Sequence, residues 1–138
     1  WQIQAGYSKS KTRDQDGSRL NPDSVPERSF KLFTAYHFAP EAPSGWTIGA
    51  GVRWQSETHT DPATLRIPNP VVKARAAANS RQKSYAVADI MARYRFNPRA
   101  ELSLNVDNLF NKHYRTQPNR HSYGALRTVN AAFTYRFK

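Results

Sequence analysis

Six stretches of this chain alternate between apolar and polar residues, and this period of two constrains the fold more than any other feature. Successive side chains of a β-strand point to opposite faces of a sheet, so each stretch predicts a strand with one apolar and one polar face. The pattern therefore indicates an all-β, antiparallel architecture. The six predicted strands cover residues 1–8, 29–38, 46–55, 85–96, 101–107 and 128–137.

The connections between these strands run long, short, long, short, long. The short ones are residues 39–45, which hold two Pro, and residues 97–100, which form an Asn-Pro turn. The long ones are residues 14–27, 57–82 and 115–124. This order places every long loop at the same end of the strands. A soluble sandwich has no reason for that asymmetry, whereas a transmembrane β-barrel has short periplasmic turns and long extracellular loops.

Aromatic residues of the apolar faces cluster toward the strand ends. Tyr7, Phe30 and Trp54 lie toward the long loops. A barrel is expected to carry two aromatic girdles on its outward face, one at each membrane interface. The competing interpretation is the core of a sandwich, but a core does not require clustering at strand ends. The aromatics near the short turns are Trp1, Tyr36, Phe38, Trp46, Tyr94, Phe96, Tyr135 and Phe137.

Charged residues indicate which face points outward. Asp89, Arg93 and Arg95 occupy the polar face of the fourth predicted strand. A slip of one residue would turn all three toward lipid, where an arginine costs about 2–4 kcal/mol near the midplane. The apolar faces should therefore contact lipid and the charges should line the lumen. There we expect Asp89 and Asp107 to pair with Arg53, Arg93 or Arg95.

Composition excludes several other classes of protein. The chain has 138 residues, no Cys and a formal net charge of +11. Without Cys there is neither a disulfide framework nor a thiolate metal site. No apolar run approaches the roughly 18 residues of a transmembrane helix. The four His are scattered without metal-ligand spacing and no catalytic constellation is present, so we expect that the protein is not an enzyme.

Two segments leave room for other structure. Residues 72–96 also fit an amphipathic helix, but we expect a strand over residues 85–96 because its neighbours show period two. A short helix is expected in the Ala-rich loop before it. The alternation also changes phase near Asn108, which predicts a β-bulge in a strand that continues past the membrane.

Six strands are too few for a closed barrel with a polar interior, because eight already give an interior filled by side chains. The first predicted strand also begins at Trp1 itself, with no signal peptide before it. We therefore expect that residues 1–138 are the C-terminal part of a larger transmembrane β-barrel.

Three stretches carry a resemblance to a known family: "YAVADIMARYRF", "NPRAELSLNVDNLFNKHY" and "SYGALRTVNAAFTYRF". They resemble the C-terminal end of TonB-dependent outer-membrane receptors, and most of all ferric-siderophore receptors of the hydroxamate and pyoverdine type. The chain departs from the family at Leu126, where Pro is common, and at Lys138, which follows the terminal aromatic. The matching residues are Asp89, Asn105, Val106, Asn108, Leu109, Phe110, Asn111, Lys112, Tyr114, Tyr123, Gly124, Arg127 and Phe137.

The resemblance implies the last six strands of a 22-stranded barrel in the bacterial outer membrane. It implies TonB-dependent uptake of an Fe(III)-siderophore, with TonB acting on a plug domain that this chain lacks together with the earlier strands. No covalently bound cofactor is implied. The last strand, through Phe133, Tyr135 and Phe137, resembles the signal read by the barrel-assembly machinery. Outer-membrane lipid and lipopolysaccharide are further expected partners, near basic residues such as Lys9 and Lys11.

Ferric siderophores present hydroxamate or catecholate oxygens and apolar arms. Aromatic rings can stack on such ligands and cationic side chains can donate charge-assisted hydrogen bonds, so residues of these types in or near the long loops are the candidates. The predicted siderophore-binding residues are Trp54, His59, Arg66, Tyr85, Tyr114, Arg115, Arg120, His121 and Tyr123.

An alternative function is a soluble, basic β-sheet module that binds nucleic acid, suggested by the positive charge and the interleaved aromatics. Such a sheet should place Lys and Arg beside aromatics on one face. Here the cations fall on the opposite face or in loops, so we expect no nucleic-acid partner. A third alternative is a non-transporting outer-membrane barrel, such as an adhesin or an enzyme. Only the family resemblance of the "NLFNKHY" pattern argues against it.

Overall fold

The structure, a computed structural model, describes residues 1–11, 25–59, 65–117 and 122–137. All the long strands belong to one antiparallel sheet with the spatial order β1-β2-β3-β6-β7-β10. The elements are β1 (Gln2–Lys9), β2 (Arg28–His37), β3 (Gly45–Gln55), β4 (Thr58–His59), α1 (Pro70–Asn79), β5 (Arg81–Gln82), β6 (Tyr85–Asn97), β7 (Ala100–Asp107), β8 (Arg115–Gln117), β9 (Ser122–Tyr123) and β10 (Thr128–Tyr135).

The sheet confirms the six predicted strands and their up-and-down order. It is open, since β1 and β10 form its two edges. The short pairs β4–β5 and β8–β9 lie within two of the connections predicted to be long. At the opposite end, Asn97 Oδ1 accepts hydrogen bonds from the backbone N–H groups of Arg99 and Ala100, at 2.9 and 3.0 Å, and so builds the predicted Asn-Pro turn. We call these two ends of the sheet the long-loop end and the short-turn end.

Cross-strand register brings all six apolar faces onto one side of the sheet. Near the long-loop end, Phe30 lies directly opposite both Tyr7 and Trp54. Halfway along, Ile90 lies opposite both Ala50 and Val106. The predicted register is therefore confirmed across the whole sheet, because a slip in any one strand would interrupt this face.

Nothing among the described residues covers the apolar face. Ile3 is 59% exposed, Val129 61% and Phe133 63%. Within the described ranges only three hydrophobic residues are buried, namely Ala35, Val87 and Ala100. The interpretation as a sandwich core is therefore wrong for this part of the chain. A sheet that exposes large apolar side chains over one whole face needs apolar surroundings against that face.

An aromatic belt follows the apolar face at the short-turn end. Its rings contact one another within a strand and across strands, mostly edge-on or tilted, which is the preferred geometry of aromatic pairs. The centroid distances are 4.7 Å for Tyr36–Phe38, 4.8 Å for Trp46–Tyr94, 4.8 Å for Tyr94–Phe96, 6.5 Å for Phe96–Phe133 and 4.8 Å for Tyr135–Phe137.

The polar face is crowded where the two glycines of β3 lie. A Cβ on Gly49 would come within 2.9 Å of Met91 Cγ and 3.1 Å of Phe33 Cζ. The same ring passes 3.5 Å from the Cβ position of Gly51. The glycines therefore make room for the ring of Phe33 on the polar face.

The helix α1 confirms the predicted helix in the Ala-rich loop. Pro70 begins it at a position where the missing N–H costs nothing. Asn69 caps it, its side-chain oxygen accepting from the N–H groups of Val71 and Val72 at 3.0 and 3.2 Å. None of its residues is buried. No helix in the described part of the chain is long and apolar enough to cross a membrane.

The predicted one-residue shift at Asn108 is confirmed on the side of β6: Ile90 pairs with Val106, yet the carbonyl of Ala88 accepts from the N–H of Leu109, at 2.7 Å, instead of from that of Asn108. The predicted continuation of the strand is wrong. The pairing of β7 with β10 is regular through Asp107, which lies opposite Thr128. The strand ends there because Asn108 takes a left-handed backbone conformation, with φ 52°. Asn tolerates this region better than most residues, so the phase change in the sequence marks a corner.

Candidate functional site

The corner after β7 is built around the side chain of Asn108, which is only 3% exposed. Its Nδ2 donates to the backbone carbonyls of Lys112 and Ala125, at 2.9 and 3.0 Å. Its Oδ1 accepts from the N–H of Lys112 at 2.7 Å. A single amide therefore closes the turn and joins it to the segment that leads into β10.

Asn111 supports the same corner from its other side. It also has a positive φ, 51°, and its N–H donates to the carbonyl of Asn108 at 2.8 Å. Its Oδ1 accepts from the N–H of Arg127 at 2.9 Å. The two asparagines of the "NLFN" stretch thus have structural roles, and both lock the start of the last loop onto its end.

The polar face of the sheet is tied to this corner through Asp89. Arg53 binds its carboxylate with two parallel hydrogen bonds, Nε to Oδ2 and Nη2 to Oδ1, each 3.1 Å long. The N–H of Asn108 donates to the same Oδ1 at 2.9 Å. The predicted pairing of Asp89 with Arg53 is confirmed. The other lumenal carboxylate, Asp107, accepts from Asn130 Nδ2 at 3.5 Å.

Two tyrosines from different elements stack beside the corner. The rings of Tyr85, at the start of β6, and Tyr114 lie 4.3 Å apart with an interplanar angle of 25°. Gly124 N–H donates to the carbonyl of Tyr114 at 3.0 Å. A Cβ at Gly124 would overlap the Tyr114 ring, so only glycine permits the ring to lie against that backbone.

Arg115 connects two of the long loops. Its backbone N–H donates to Gln82 Oε1 at 2.8 Å, and its Nη1 donates to the carbonyl of Asn79 at the end of α1, also at 2.8 Å. Its guanidinium carbon lies 5.9 Å from the centre of the Tyr123 ring, a cation–π geometry. The loop that contains α1 and the β8–β9 pair are therefore held together by Arg115, through both its backbone N–H and its side chain.

Four predicted siderophore-binding residues thus come together as one surface, which we call the tyrosine–arginine cluster. Its members are Tyr85, Tyr114, Arg115 and Tyr123. Tyr123 is 58% exposed and the other three are half-buried. Sequence reasoning did not include Asn79 and Gln82, which position Arg115. Their separation of 36 and 33 residues from Arg115 leaves no local signal.

The remaining predicted residues lie elsewhere. Trp54 lies on the apolar face beside Phe30, opposite to the face of Arg53. This position suits the aromatic row better than a ligand contact. His59 lies in β4, opposite Arg81, and Arg66 is exposed before α1. Arg120 and His121 lie outside the described residues.

An exposed ion pair connects the two ends of the loop that contains α1. Arg81 Nη2 lies 2.7 Å from Glu57 Oε2. The hydrogen bond and the positive charge of Arg81 hold the pKa of the Glu57 carboxyl below its ordinary value. Within the described ranges no three His, Asp or Glu side chains are grouped as a metal site. The tyrosines and arginines at the long-loop end can bind a ligand by ring stacking and charge-assisted hydrogen bonds.

Comparison with known proteins identifies this architecture. The family described as "TonB dependent receptor-like, beta-barrel" matches residues 1–109. The chain belongs to the TonB-dependent receptor family. The family consists of receptors, and the nucleic-acid alternative finds no support.

Individual relatives of this receptor segment are named for iron–siderophore complexes. The ferric-pyoverdine BN7/BN8 receptor of Pseudomonas putida is 38% identical over 138 residues, covering 99% of this chain and 15% of the relative. The ferripyoverdine receptor of Pseudomonas aeruginosa, solved with bound ferripyoverdine, superposes with a TM-score of 0.74 and 27% identity over 98% of this chain and 17% of its own. The ferric-catecholate import receptor Fiu of E. coli superposes with a TM-score of 0.69 and 28% identity, over 99% of this chain and 19% of its own. The chain thus spans about a sixth of the length of such receptors.

Proposed function

We propose that this chain forms the last six strands and the extracellular loops of a 22-stranded barrel that takes up an Fe(III)-siderophore of the pyoverdine type. One observation carries the proposal: the relative named a ferric-pyoverdine receptor is 38% identical over 99% of the chain. In this arrangement a plug domain and the earlier strands belong to the rest of the protein, and TonB acts through the plug. The barrel lies in the bacterial outer membrane.

The dimensions of the sheet support a membrane-spanning orientation. Trp46 and Trp54 mark the two aromatic levels on β3 and are separated by eight residue steps. At about 3.3 Å per step and a tilt of about 40°, this corresponds to a height of about 20 Å. The rings themselves extend beyond their Cα positions, so the apolar band approaches the roughly 25 Å expected of outer-membrane barrels.

The tyrosine–arginine cluster is the part of the described structure best suited to the ligand. Its rings offer flat apolar surface, and Arg115 can donate to the anionic oxygens of a ferric complex. Arg115 also holds the α1 loop against β9 through Asn79, so ligand contact there would be shared by two loops. Contacts by His59, Arg66, Arg120 and His121 stay predictions.

Assembly and membrane partners belong to the same proposal. Phe133, Tyr135 and Phe137 alternate along the last strand and carry the aromatic signal that the barrel-assembly machinery would read. Tyr135 and Phe137 stack edge-on at 4.8 Å on the apolar face, where lipid would surround them.

The test uses the full-length receptor, produced in a bacterial strain without its own siderophore receptors. Accumulation of radioactive iron is measured with ferric pyoverdines, a ferric hydroxamate and a ferric catecholate. We expect uptake of a ferric pyoverdine that disappears when TonB is deleted. If none of the complexes delivers iron although the receptor is inserted in the outer membrane, the transport proposal is wrong.

A second arm addresses the cluster. Arg115→Ala should weaken binding of the ferric siderophore about tenfold to a hundredfold, because a charge-assisted hydrogen bond is worth about 1.5–3 kcal/mol. Arg75→Ala, which removes an exposed cation from the neighbouring α1, is the matched control and should bind as the wild type does. Surface labelling of whole cells checks that both variants reach the outer membrane in equal amounts.

A further inference from the structure

We propose that Lys9, Arg28 and Ser56 form a binding site for the phosphate group of an outer-leaflet lipid. The proposal rests on the membrane orientation given under the proposed function. It concerns the outward face of the receptor segment, whereas the siderophore would meet the long loops and the lumen.

The three residues lie in one row across β1, β2 and the end of β3. Lys9 is the direct cross-strand partner of Arg28. Ser56 continues the ladder by one step beyond β3, since its N–H donates to the carbonyl of Arg28 at 2.9 Å. By alternation, this row shares the apolar side of the sheet with Tyr7 and Phe30 and stands two residues further toward the long loops.

That position matches the headgroup level of a membrane. Two residue steps place the row about 7 Å along the strands beyond the upper aromatic row of Tyr7, Phe30 and Trp54. Aromatic rows mark the interface itself, so side chains one level above them meet the polar headgroups. Both Lys9 and Arg28 are exposed there.

The row carries two like charges that repel each other. Directly opposed residues of an antiparallel pair have Cβ atoms about 4.5–5.5 Å apart, and like charges at that distance are destabilising. Among the described residues, neither Lys9 nor Arg28 forms an ion pair. Glu27, next in the chain to Arg28, pairs with Lys11, with Nζ 3.5 Å from Oε1. An anion between the two cations would turn the repulsion into attraction.

Ser56 completes a donor set that suits phosphate. Its Oγ accepts from the backbone N–H of Arg28 at 3.1 Å, which leaves its own hydroxyl proton to donate. Arg28 is held on both sides, by β1 and by Ser56, so its side chain starts from a rigid backbone. A guanidinium, an ammonium and a hydroxyl at one level are a typical recognition set for a phosphate.

The experiment measures binding of lipid A to the full-length receptor in detergent by native mass spectrometry. One probe carries both phosphates and the other has had both removed. We expect about tenfold tighter binding of the phosphorylated probe, and we expect Lys9→Ala/Arg28→Ala to lose that preference. The control is Lys31→Ala, which removes a cation from the opposite face of β2 and should bind as the wild type does.

Equal binding of the two probes by the wild type, or an unchanged preference in the double variant, would overturn the proposal. Circular dichroism and heat-modifiability of the purified proteins establish that the variants are folded. Ferric-siderophore affinity is measured on the same preparations. If the lipid preference is present and no siderophore binds, the transport function fails and the lipid site stands; the converse result removes only the lipid site.

Discussion

Replacing Asn108 with Ala should release the last long loop from the sheet. The side chain makes three hydrogen bonds of 2.7–3.0 Å with the backbone of Lys112 and Ala125. At a net value of about 1 kcal/mol each, their loss amounts to about 3 kcal/mol. The backbone at this position has φ 52°, where Ala costs about 1 kcal/mol more than Asn. The free energy of local opening should therefore fall by about 4 kcal/mol.

Two further variants separate these contributions. Asn108→Gly removes the same hydrogen bonds but tolerates the positive φ, so it should lose only about 3 kcal/mol. Asn111→Ala is the matched control, since its φ is also positive, 51°, while its side chain accepts one hydrogen bond, from Arg127 N–H. It should lose about 2 kcal/mol.

Hydrogen–deuterium exchange of the full-length receptor measures these differences in the loop itself. Exchange in residues 108–117 should accelerate about a thousandfold in Asn108→Ala, about a hundredfold in Asn108→Gly and about thirtyfold in Asn111→Ala, if opening limits exchange. Peptides from the middle of β3 should be unchanged. The reasoning is refuted if Asn111→Ala opens the loop more than Asn108→Ala, or if Asn108→Gly exchanges like the wild type.

Three other changes test contacts within the long loops. Gly124→Ala should displace the Tyr114 ring and destabilise the loop by about 1–3 kcal/mol, seen as faster exchange there, and unchanged exchange would contradict the contact. Arg115→Lys keeps the charge but loses the planar donor fork, so exchange at the end of α1 should rise, with wild-type protection as the contrary result. Because Arg81 lowers the pKa of Glu57, the pair stabilises the β4–β5 ladder above the ordinary carboxyl pKa, and this is lost as pH falls through the lowered pKa. Exchange of β5, corrected for intrinsic rates, should rise in the wild type as the pH falls below the ordinary carboxyl pKa, and should not follow this titration in Glu57→Gln.

The strands, their order and their register could be predicted because a single physical rule determines them all. Each apolar set must share one face, and the charges of Asp89 and Arg93 exclude a slip of one residue. The pairing of Arg53 with Asp89 follows from the same register. Arg53 lies opposite Val87, and Asp89 is two residues further along β6 on the same face of the sheet. Alternation over several strands is thus enough to place inward charges.

The loops were predictable only in part, because their structure depends on contacts between residues far apart in the chain. The phase change at Asn108 was visible and marked the extra residue, but period counting cannot show that the strand also ends there in a corner. The corner is fixed by Ala125, 17 residues away, and Arg115 is fixed by Gln82, 33 residues away. The grouping of Tyr85, Tyr114, Arg115 and Tyr123 was therefore not predicted as a cluster, although each residue was named.

A continuous series of hydrogen bonds connects the polar face of the sheet to the tyrosine–arginine cluster. Arg53 binds Asp89, Asp89 accepts from Asn108 N–H, and Asn108 closes the loop that carries Tyr114. Few apolar side chains are buried in the described sheet. The loop is therefore positioned by these hydrogen bonds and not by a hydrophobic core. A charge approaching Arg53 or Asp89 from the lumen would compete with these bonds and so loosen the corner. Ligand contact above and contact with the lumenal wall below are therefore expected to influence each other through Asn108.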